Sequence, residues 1–430
     1  MTLIDLLSHR AGLAHEAPIG NNSYPYSPSF KAHIESIQNT WLRFPVGQRF
    51  CYSNLGLDLT GYILQKVTGV QFPELMQKTV LDPIGMTSST FDLNKVLKSN
   101  NYAKGTEYNK TAPLNVAMIP CAGLYTNAED MGKYLSFQLN SGMVNNKQII
   151  NLKYINLMRT IQNKMNGQTS GYGLGLAIYH FKNFTIYDHN GGGYGFNSIA
   201  FWIPTLNFGV SIFFNGETGK DQDKFLWEIL SAFSPEYKNF ENQLGTINLK
   251  PTPQNIQSIN KKFKNWIGTY VETRSVAPIE VTIKNKRLGF IEKNNFEPLI
   301  YIGNNKFYNK KTKKLYQLIK GGKYYSKYIL DVGTGTSWNF DYGPNEPRNP
   351  TEEILNKYCG AYETHSKDIF YLKIINGYLN SLIYNESVKL RLQEFKSGLF
   401  RSPNGRVLNL SKKPYSFNNI KIMKLSHPSH

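Results

Sequence analysis

Residues 51–68 read CYSNLGLDLTGYILQKVT and contain a helical pattern around which the front of the chain can be organised. From residue 54 onward, apolar side chains recur at spacings of four, a stripe that is typical of an amphipathic helix. The members of this stripe are Leu55, Leu59, Ile63 and Val67. We therefore predict a helix over residues 54–68 that packs this stripe against a core.

Helical and extended patterns alternate on the C-terminal side of this segment up to about residue 240. A second helix is predicted over residues 72–80, where Asp82-Pro83 would stop it. Thr126-x-x-Glu129 has the pattern of a capping box and predicts the start of a third helix. Residues 199–203 and 208–214 are rich in β-branched and aromatic side chains and predict two strands, and residues 221–233 predict a closing helix. The front half is thus predicted to be an α+β domain.

The composition is that of a folded protein with an uneven charge. The chain has 430 residues, of which 40% are hydrophobic and 18% charged, and its formal net charge is +19. Such a chain can bury sizeable cores, which excludes disordered and fibrous classes, and its length predicts two or three domains. Residues 1–240 carry 19 basic and 16 acidic residues, whereas residues 241–430 carry 30 and 14. The basic excess therefore belongs to the rear half.

The rear half has the pattern of two all-β modules. Residues 241–262 are polar, include Pro251 and Pro253, and predict a linker. The segment at 263–270 resembles the segment at 355–362, and each is followed by an alternating strand and a turn, Asn285-Lys286 in the first copy and Asn376-Gly377 in the second. We predict a front domain over 1–240 and two similar barrel-like modules over 263–346 and 347–430, the first resembling a lipocalin barrel.

Cysteine content and apolar runs carry little information about the compartment. The three cysteines, Cys51, Cys121 and Cys359, have neither the number nor the spacing of a disulfide framework or a metal site. The longest apolar run, at 199–214, is too short and too interrupted to span a bilayer. The first residues lack the basic and apolar regions of a signal peptide.

Three segments along residues 1–235 are informative about function. They are residues 2–13 (TLIDLLSHRAGL), Tyr52-Ser53-Asn54 and His189-Asn190-Gly191-Gly192-Gly193. In this order they resemble the serine β-lactamase and penicillin-binding protein family, in particular its class C β-lactamase, D-aminopeptidase and esterase-like branch. The first resembles the family's His-x-Ser-Gly-Leu segment, the second its Tyr-x-Asn motif and the third its third motif, Lys/His-x-Gly, and residues 122–130 and 172–175 also match in order. The resemblance implies an α+β hydrolase domain of bacterial origin that forms an acyl-enzyme on a serine.

The resemblance also implies roles for six residues. Tyr52 would be the general base or proton shuttle, and its phenol would need a pKa lowered by nearby cations. His189, at the position where relatives carry Lys or His, would help supply the positive electrostatic field that lowers this pKa, or would form a hydrogen bond. Asn54 and the segment Asn190, Gly191 and Gly192 would bind substrate, with the Gly192 N–H as an oxyanion donor because glycines let a substrate approach the backbone closely. No metal and no cofactor is expected.

Structural interpretations of the same residues stay open. Asn54 could simply cap a helix, and the glycine run could be a plain hairpin turn. His189 could form a hydrogen-bonded pair with Asp188. Cys51 is better explained as a small core residue than as a nucleophile, and His9 and His15 as packing and surface residues rather than metal ligands.

The family's nucleophilic motif, Ser-x-x-Lys, has no counterpart in the expected place. In relatives it precedes the His-x-Ser-Gly-Leu segment, whereas here the only match is Ser258-x-x-Lys261, which follows every other motif and lies in the predicted linker. We expect the 430 residues by themselves to be inactive in acyl transfer. We also expect that Met1 is an internal methionine of a longer reading frame or that the gene is truncated.

Two further hypotheses belong to other functional classes. The chain could be a pseudoenzyme that binds cell-wall peptides without reacting with them. Alternatively, residues 250–430 could bind an anionic envelope polymer or a membrane surface through their basic side chains. Lys-aromatic stretches such as 310–316 and Lys323-Tyr324-Tyr325 occur without a nucleic-acid-binding motif, so nucleic acid is not expected as a partner. The expected substrate is a small peptide, β-lactam or ester, and the resemblance implies a periplasmic or secreted location.

Overall fold

The computed structural model describes 21 segments of the chain and divides it into two compact units. The described residues are 1–17, 19–20, 28–40, 42–107, 110–112, 114–165, 170–181, 183–193, 195–216, 221–233, 262–272, 278–292, 295–321, 327–332, 337–340, 350–364, 369–375, 377–383, 388–402, 407–417 and 420–426. The first unit comprises Met1–Ala11 with Gly56–Thr246, and the second comprises Gly12–Leu55 with Ile247–His430. The predicted linker up to residue 261, Ser258-x-x-Lys261, Asn376 and Lys323-Tyr324-Tyr325 lie outside the described residues.

Helices occupy mainly the first unit. In chain order they are α1 (Leu3–Leu7), α2 (Phe30–Glu35), α3 (Asn54–Thr68), α4 (Phe72–Met76), α5 (Asp82–Ile84), α6 (Leu93–Ser99), α7 (Ile119–Ala122), α8 (Ala128–Leu139), α9 (Leu152–Met158), α10 (Asp221–Phe233) and α11 (Glu352–Asn356). Within the described segments, no helix combines the length and apolarity that crossing a membrane requires.

The helix predicted over 54–68 is confirmed in its bounds, but its apolar stripe is only partly buried. Leu55 is 0% exposed, whereas Val67 is 79% exposed. The buried face instead includes Asp58, which is 0% exposed, and Gly61, whose missing side chain leaves space for Pro120 of α7. The prediction that the whole stripe packs on a core was wrong, because a small residue and a hydrogen-bonded carboxylate occupy the closest approach.

Two further helix predictions needed correction. Asp82-Pro83 does not stop the second helix, because a π-helical turn over Gln77–Leu81 leads directly into α5, whose first turn accepts a proline that has no N–H to donate. The helical stretch ends only at Gly85, which has φ 84°. For α8 the N-cap is Asn127 and not Thr126, since the Asn127 side chain accepts the N–H of Asp130 at 2.9 Å.

A six-stranded antiparallel sheet forms the centre of the first unit. Its order is β10-β9-β8-β7-β6-β5. These strands are β5 (Asn163–Met165), β6 (Ser170–Tyr172), β7 (Ala177–Phe181), β8 (Phe184–Gly193), β9 (Phe196–Ile203) and β10 (Phe208–Phe214), and two short hairpins are β1 (Thr106–Glu107) with β2 (Lys110–Thr111) and β3 (Met143–Val144) with β4 (Lys147–Gln148). The predicted strands at 199–203 and 208–214 and the helix at 221–233 are confirmed.

Strand β9 is buried on both faces, which explains its nearly continuous apolar sequence. Ile199, Phe201 and Ile203 point to one face and form a core with Leu230 of α10. The intervening Trp202 points to the other face and packs with Leu135 of α8. The period of two along the strand therefore places the sheet between α10 and α8.

The second unit contains two nine-stranded antiparallel sheets with the same topology. Their orders are β14-β13-β12-β11-β19-β18-β17-β16-β15 and β23-β22-β21-β20-β28-β27-β26-β25-β24. The first comprises β11 (Gly268–Glu272), β12 (Pro278–Lys284), β13 (Arg287–Glu292), β14 (Asn295–Pro298), β15 (Ile300–Gly303), β16 (Lys306–Asn309), β17 (Lys314–Ile319), β18 (Tyr328–Asp331) and β19 (Ser337–Phe340). The second comprises β20 (Gly360–Thr364), β21 (Ile369–Ile375), β22 (Tyr378–Ile383), β23 (Val388–Arg391), β24 (Gln393–Lys396), β25 (Leu399–Arg401), β26 (Val407–Asn409), β27 (Tyr415–Phe417) and β28 (Ile420–Lys424).

Each of these sheets curls into a nearly closed barrel. A single buried leucine, Leu299 in the first and Leu392 in the second, separates the two edge strands along the chain. Its N–H donates to a carbonyl of the neighbouring strand, that of Leu288 at 2.9 Å or Leu379 at 2.8 Å. One bent strand thus forms both edges of each sheet, which leaves little unpaired edge.

The weak sequence repeat corresponds to a repeated structural detail. The hydroxyl of Tyr270 donates to the Trp266 carbonyl at 3.0 Å, and that of Tyr362 donates to the Tyr358 carbonyl at 2.8 Å. Each barrel's first strand starts at a glycine with nearly the same backbone angle, Gly268 with φ 140° and Gly360 with φ 138°. The all-β barrel-like architecture is confirmed, whereas the predicted boundaries at 240, 262, 346 and 430 stay predictions.

We predict that Asp130 makes the first unit acid-sensitive. Burial by itself raises its pKa, but hydrogen bonds from Lys133, Ser89 and the Ser88 N–H outweigh burial and hold the pKa below the ordinary 3.8. The stabilisation is present above the unfolded-state pKa and is lost as pH falls through the lower folded-state pKa. Asp130→Asn should cost about 2 kcal/mol of α8 opening free energy at pH 7, and less near pH 3, as measured by hydrogen exchange.

The matched control is Glu129→Gln, which changes the neighbouring carboxylate but one that is 83% exposed. It should alter α8 opening by less than about 0.5 kcal/mol. Equal effects of the two variants would contradict the role of Asp130.

Candidate functional site

Strand β8 continues past the end of its neighbour β7. The register between them ends at Ala177 opposite Asp188. Residues 189–193 are paired with β9, from His189 opposite Ala200 to Gly193 opposite Phe196, and within the described strands no register pairs them on the β7 side. The last residues of β8 therefore form a one-sided edge, along which Asn190, Gly191 and Gly192 are exposed.

The alternation of the ladder indicates which backbone groups face this edge. Two residues connect Gly193 to Phe196, and such a hairpin connection closes with a hydrogen-bonded pair. In antiparallel pairs every second residue bonds the partner strand, so Gly193, Gly191 and His189 bond β9. The N–H and C=O of Asn190 and Gly192 then point toward the β7 side. The hairpin that closes with Phe181 opposite Phe184 requires the same alternation.

His189 lies at the start of this edge and is hydrogen-bonded to a tyrosine of the same sheet. Its Nε2 lies 3.1 Å from the hydroxyl of Tyr172 on β6. Burial lowers the pKa of His189, and a hydrogen bond with the Asn190 backbone only partly opposes this shift. At neutral pH the ring is therefore uncharged and supplies a hydrogen bond rather than a positive charge.

Tyr172 also contacts His9, which makes it a link between two segments that match the family pattern. The rings of His9 and Tyr172 have centroids 4.6 Å apart, and both residues are buried. Nearby, the N–H of Gly175 donates to the Leu7 carbonyl at 3.0 Å. The packing interpretation of His9 agrees with this position.

In the second unit, alternating burial exposes Tyr52 and Asn54 on one side of their segment. Cys51, Ser53 and Leu55 are buried, whereas Tyr52 and Asn54 are half-buried. The Ser53 hydroxyl donates to the Ala14 carbonyl at 2.6 Å, and the Leu55 N–H donates to the His15 carbonyl at 3.3 Å. The backbone around Tyr52 is thus tied to residues 14 and 15.

The Tyr52 ring itself lies beside an imidazole. The centroids of the Tyr52 and His15 rings are 5.6 Å apart, and His15 Nδ1 lies 3.6 Å from Glu16 Oε1. Helix α3 begins at Asn54, two residues after Tyr52. The segment therefore presents a phenol and an amide from the turn that leads into a helix.

Comparison with known proteins identifies the family. The Beta-lactamase family model matches residues 1–232, which is more than half of the chain. The chain belongs to the β-lactamase family.

Individual relatives agree with this assignment at low identity. The chain is 25% identical over 222 residues to Protein flp of Staphylococcus aureus (strain MRSA252), a match that covers 50% of this chain and 43% of that protein. It is 25% identical over 229 residues to the D-alanyl-D-alanine-carboxypeptidase/endopeptidase AmpH of Escherichia coli (strain K12), covering 49% and 57%. The chain spans about half the length of the curated relatives that it matches.

A solved structure shares the fold over a larger part of the chain. The crystal structure of SurE aligns with a TM-score of 0.57 at 19% identity, covering 79% of this chain and 79% of that chain. The alignment therefore extends beyond the residues that the β-lactamase family model matches.

The six site residues predicted from the family resemblance fall into two groups. Tyr52 and Asn54 belong to the second unit, and His189, Asn190, Gly191 and Gly192 lie together on β8 in the first. Their functional roles stay predictions. His189 Nε2 lies within hydrogen-bonding distance of the Tyr172 hydroxyl, and the interpretation of His189 as a structural partner of Asp188 stays open.

Two features of this β-lactamase-family chain were not anticipated from the sequence. The sequence of residues 172–175 gives no sign that the Tyr172 hydroxyl contacts His189. Asp58 on α3 accepts the N–H of Cys121 at 3.1 Å and its thiol at 3.4 Å. The available signal was the spacing of three between Leu55 and Asp58, which places both on one helix face. Among the residues that the structure describes, no cluster of His, Cys, Asp and Glu could hold a metal ion.

We predict that His189 titrates below the ordinary histidine value of 6.5, because burial disfavours the imidazolium. The unfolded chain then takes up the proton first, so this group's contribution to stability is present above pH 6.5 and is lost as pH falls below it. A histidine-selective NMR titration measures the midpoint, with His189→Gln to assign the signal. A midpoint at or above 6.5 would show the prediction to be wrong.

Proposed function

We propose that this chain carries the base and the substrate-binding strand of a β-lactamase-family serine hydrolase that acts on an amide, a β-lactam or an ester. Tyr52 is the proposed base, Asn54 and His189 orient the substrate, and Gly192 donates to the oxyanion. The one-sided edge of β8 is the observation that carries this proposal, because its backbone donors and acceptors have no strand partner on the β7 side within the described sheet.

The edge fits an extended substrate that adds to the sheet. A peptide-like substrate can pair with the outward N–H and C=O of Asn190 and Gly192, as in other cases of strand addition. Gly191 and Gly192 add no side chains above or below this part of the sheet, so the side chains of an added strand meet little there. The Gly192 N–H then points to where negative charge develops on a carbonyl oxygen during acyl transfer.

The turn at Tyr52 supplies the acid–base side of the proposed reaction. A serine hydroxyl is a weak nucleophile and needs a base that accepts its proton. The phenol of Tyr52 is half-buried, whereas the neighbouring Cys51 is buried, and the Asn54 amide can donate to and accept from a substrate amide. His189 contributes a neutral ring at the start of the edge, held by the Tyr172 hydroxyl, so its proposed part in orienting the substrate does not require a charged substrate.

The nucleophile is the part of the reaction for which these 430 residues show no candidate in the family's order. Ser258-x-x-Lys261 follows all other motifs and lies outside the described residues. We therefore propose that these 430 residues by themselves bind substrate without forming an acyl-enzyme. This behaviour would also be that of a pseudoenzyme for cell-wall peptides.

The relatives guide the choice of test ligand. AmpH is a D-alanyl-D-alanine-carboxypeptidase/endopeptidase, and a crystal structure of SurE with D-Leu shares this chain's fold. We propose a peptide with a D-amino acid at its C-terminus as the substrate class, and an N-acetylated peptide ending in D-Ala-D-Ala as the probe.

The test combines covalent labelling with equilibrium binding on the purified chain. A fluorescent penicillin should leave no label that survives denaturation, whereas the peptide should bind saturably in calorimetry. Gly192→Pro removes the outward N–H without removing a ladder bond and should weaken binding about tenfold. Gly192→Ala keeps that N–H and is the matched control, since its added carbon would lie 3.0 Å from Asn197 Oδ1 and needs only a small adjustment.

The outcomes separate the two parts of the proposal. Covalent labelling of the chain would contradict the missing nucleophile but not the binding edge. Absence of saturable binding, or equal binding by the proline and alanine variants, would contradict the edge. The periplasmic or secreted location stays a prediction. An anionic envelope polymer as partner also stays a prediction. In the described part, Lys311 and Lys314 contact the carboxylates of Glu297 and Asp331.

A further inference from the structure

A cationic side chain joins the segment before Tyr52 to the first barrel of the second unit. The guanidinium carbon of Arg49 lies 4.2 Å from the ring centroid of Phe44 and 4.3 Å from that of Tyr328. Both distances are within the range of cation–π attraction, which is stronger when the cation is shielded from water. Phe44, Arg49 and Tyr328 are called the Arg49 clamp below.

The clamp is buried and has polar as well as aromatic contacts. Phe44 is 0% exposed and Tyr328 is 1% exposed. The Tyr328 hydroxyl donates to Gln48 Oε1 at 3.3 Å and is also hydrogen-bonded to the Arg49 side chain. Burial lowers the pKa of Arg49, opposed by the interactions with Tyr328 and Cys51. A cation held in such surroundings has few alternative positions, because moving it away from the rings leaves it poorly solvated.

The clamp is continuous with the turn that bears Tyr52. Cys51 packs in the same apolar cluster as Phe44 and Tyr328, together with Ile319 and Leu330 of the barrel. Ser53, on the other side of Tyr52, is tied to Ala14 by its hydroxyl. Tyr52 is therefore flanked by two anchored neighbours, one of which rests on the barrel.

Phe44 is itself fixed from the side of residues 12–14. The Arg43 N–H donates to the Gly12 carbonyl at 2.7 Å. Gly12 has φ 72°, and a side chain there would collide with the Phe44 carbonyl oxygen. Residues 12–14 thus hold both ends of the segment, Phe44 through Gly12 and Ser53 through Ala14.

We propose that Arg49 is a positioning residue for Tyr52 and that the first barrel acts on the candidate base through Tyr328. The first barrel then takes part in holding the turn, because Tyr328 of its strand β18 packs against Arg49. The inference rests on the proposed function for the role of Tyr52 as base, whereas the mechanical coupling from Tyr328 to the turn can be measured independently of that role.

The experiment measures the order of the Tyr52 turn in the full chain with variants of the clamp. Tyr328→Leu removes the ring, and Arg49→Met removes the guanidinium while keeping an unbranched apolar stem. Each should speed amide exchange in residues 50–55 about tenfold. The Tyr52 ζ-carbon signal in tyrosine-labelled NMR, assigned with Tyr52→Phe, should move toward that of a disordered tyrosine. Tyr328→Phe keeps the ring and should retain most of the protection.

The matched control is Tyr316→Leu. Tyr316 is a buried tyrosine of the same barrel, but it packs on Phe290 and Trp338 inside the barrel core. This variant should destabilise the barrel while leaving exchange in residues 50–55 within about twofold of the parent. If Tyr328→Leu unfolds the barrel, Arg49→Met still tests the clamp, because it leaves every barrel residue in place.

The proposal is overturned if Tyr328→Leu and Tyr316→Leu change the Tyr52 signal equally, or if Arg49→Met leaves it unchanged. Failure of the proposed function has a different signature. In that case no peptide would bind, or Gly192→Pro and Gly192→Ala would bind it equally, while the exchange and NMR changes would follow the clamp variants as stated.

Discussion

The register between β7 and β8 is the constraint from which the candidate site follows. Pairing ends at Asp188, so the five residues after it have a strand neighbour on one side only within the described sheet. Antiparallel alternation then directs the backbone groups of Asn190 and Gly192 outward. If β8 slipped by one residue against β9, the N–H and C=O of Asn190 and Gly192 would turn toward β9. The N–H and C=O of the neighbouring residues would then face the edge instead.

The register of β8 against its other neighbour, β9, is maintained by packing that lies away from the edge. Strand β9, which pairs with all of 189–193, is anchored by Phe201 and Ile203 on one face and Trp202 on the other. A slip of one residue would move these large side chains to the wrong faces of the sheet and disrupt both cores. The packing of β9 therefore keeps the exposed glycine run of β8 aligned, although the glycines have no side chains to pack. The functional edge can be rich in glycine because its partner strand is not.

The sequence predicted several elements well and missed others for identifiable reasons. The bounds of α3 and of β10 were correct because periodic or β-branched patterns are local properties. The burial of Val67 was predicted wrongly, since periodicity shows that a face is apolar but not what covers it. Pro83 was read as a helix stop, although a preceding π-helical turn accommodates it. The hydrogen bonds of Asp58 and of Tyr172 join residues 63 and 17 positions apart, and no local pattern carries such information.

By itself the sequence determined the family, the α+β character of the front half and the presence of two similar β modules, because ordered motifs, hydrophobic periods and an internal repeat are all written along the chain. Only the tertiary structure decided which backbone groups of β8 face outward, that His189 meets Tyr172, and that Arg49 meets a ring of strand β18 at Tyr328. These facts depend on strand register and on contacts between residues as far apart as 49 and 328. Such contacts form only once the packed hydrophobic cores fix the positions of the strands and turns that carry these residues.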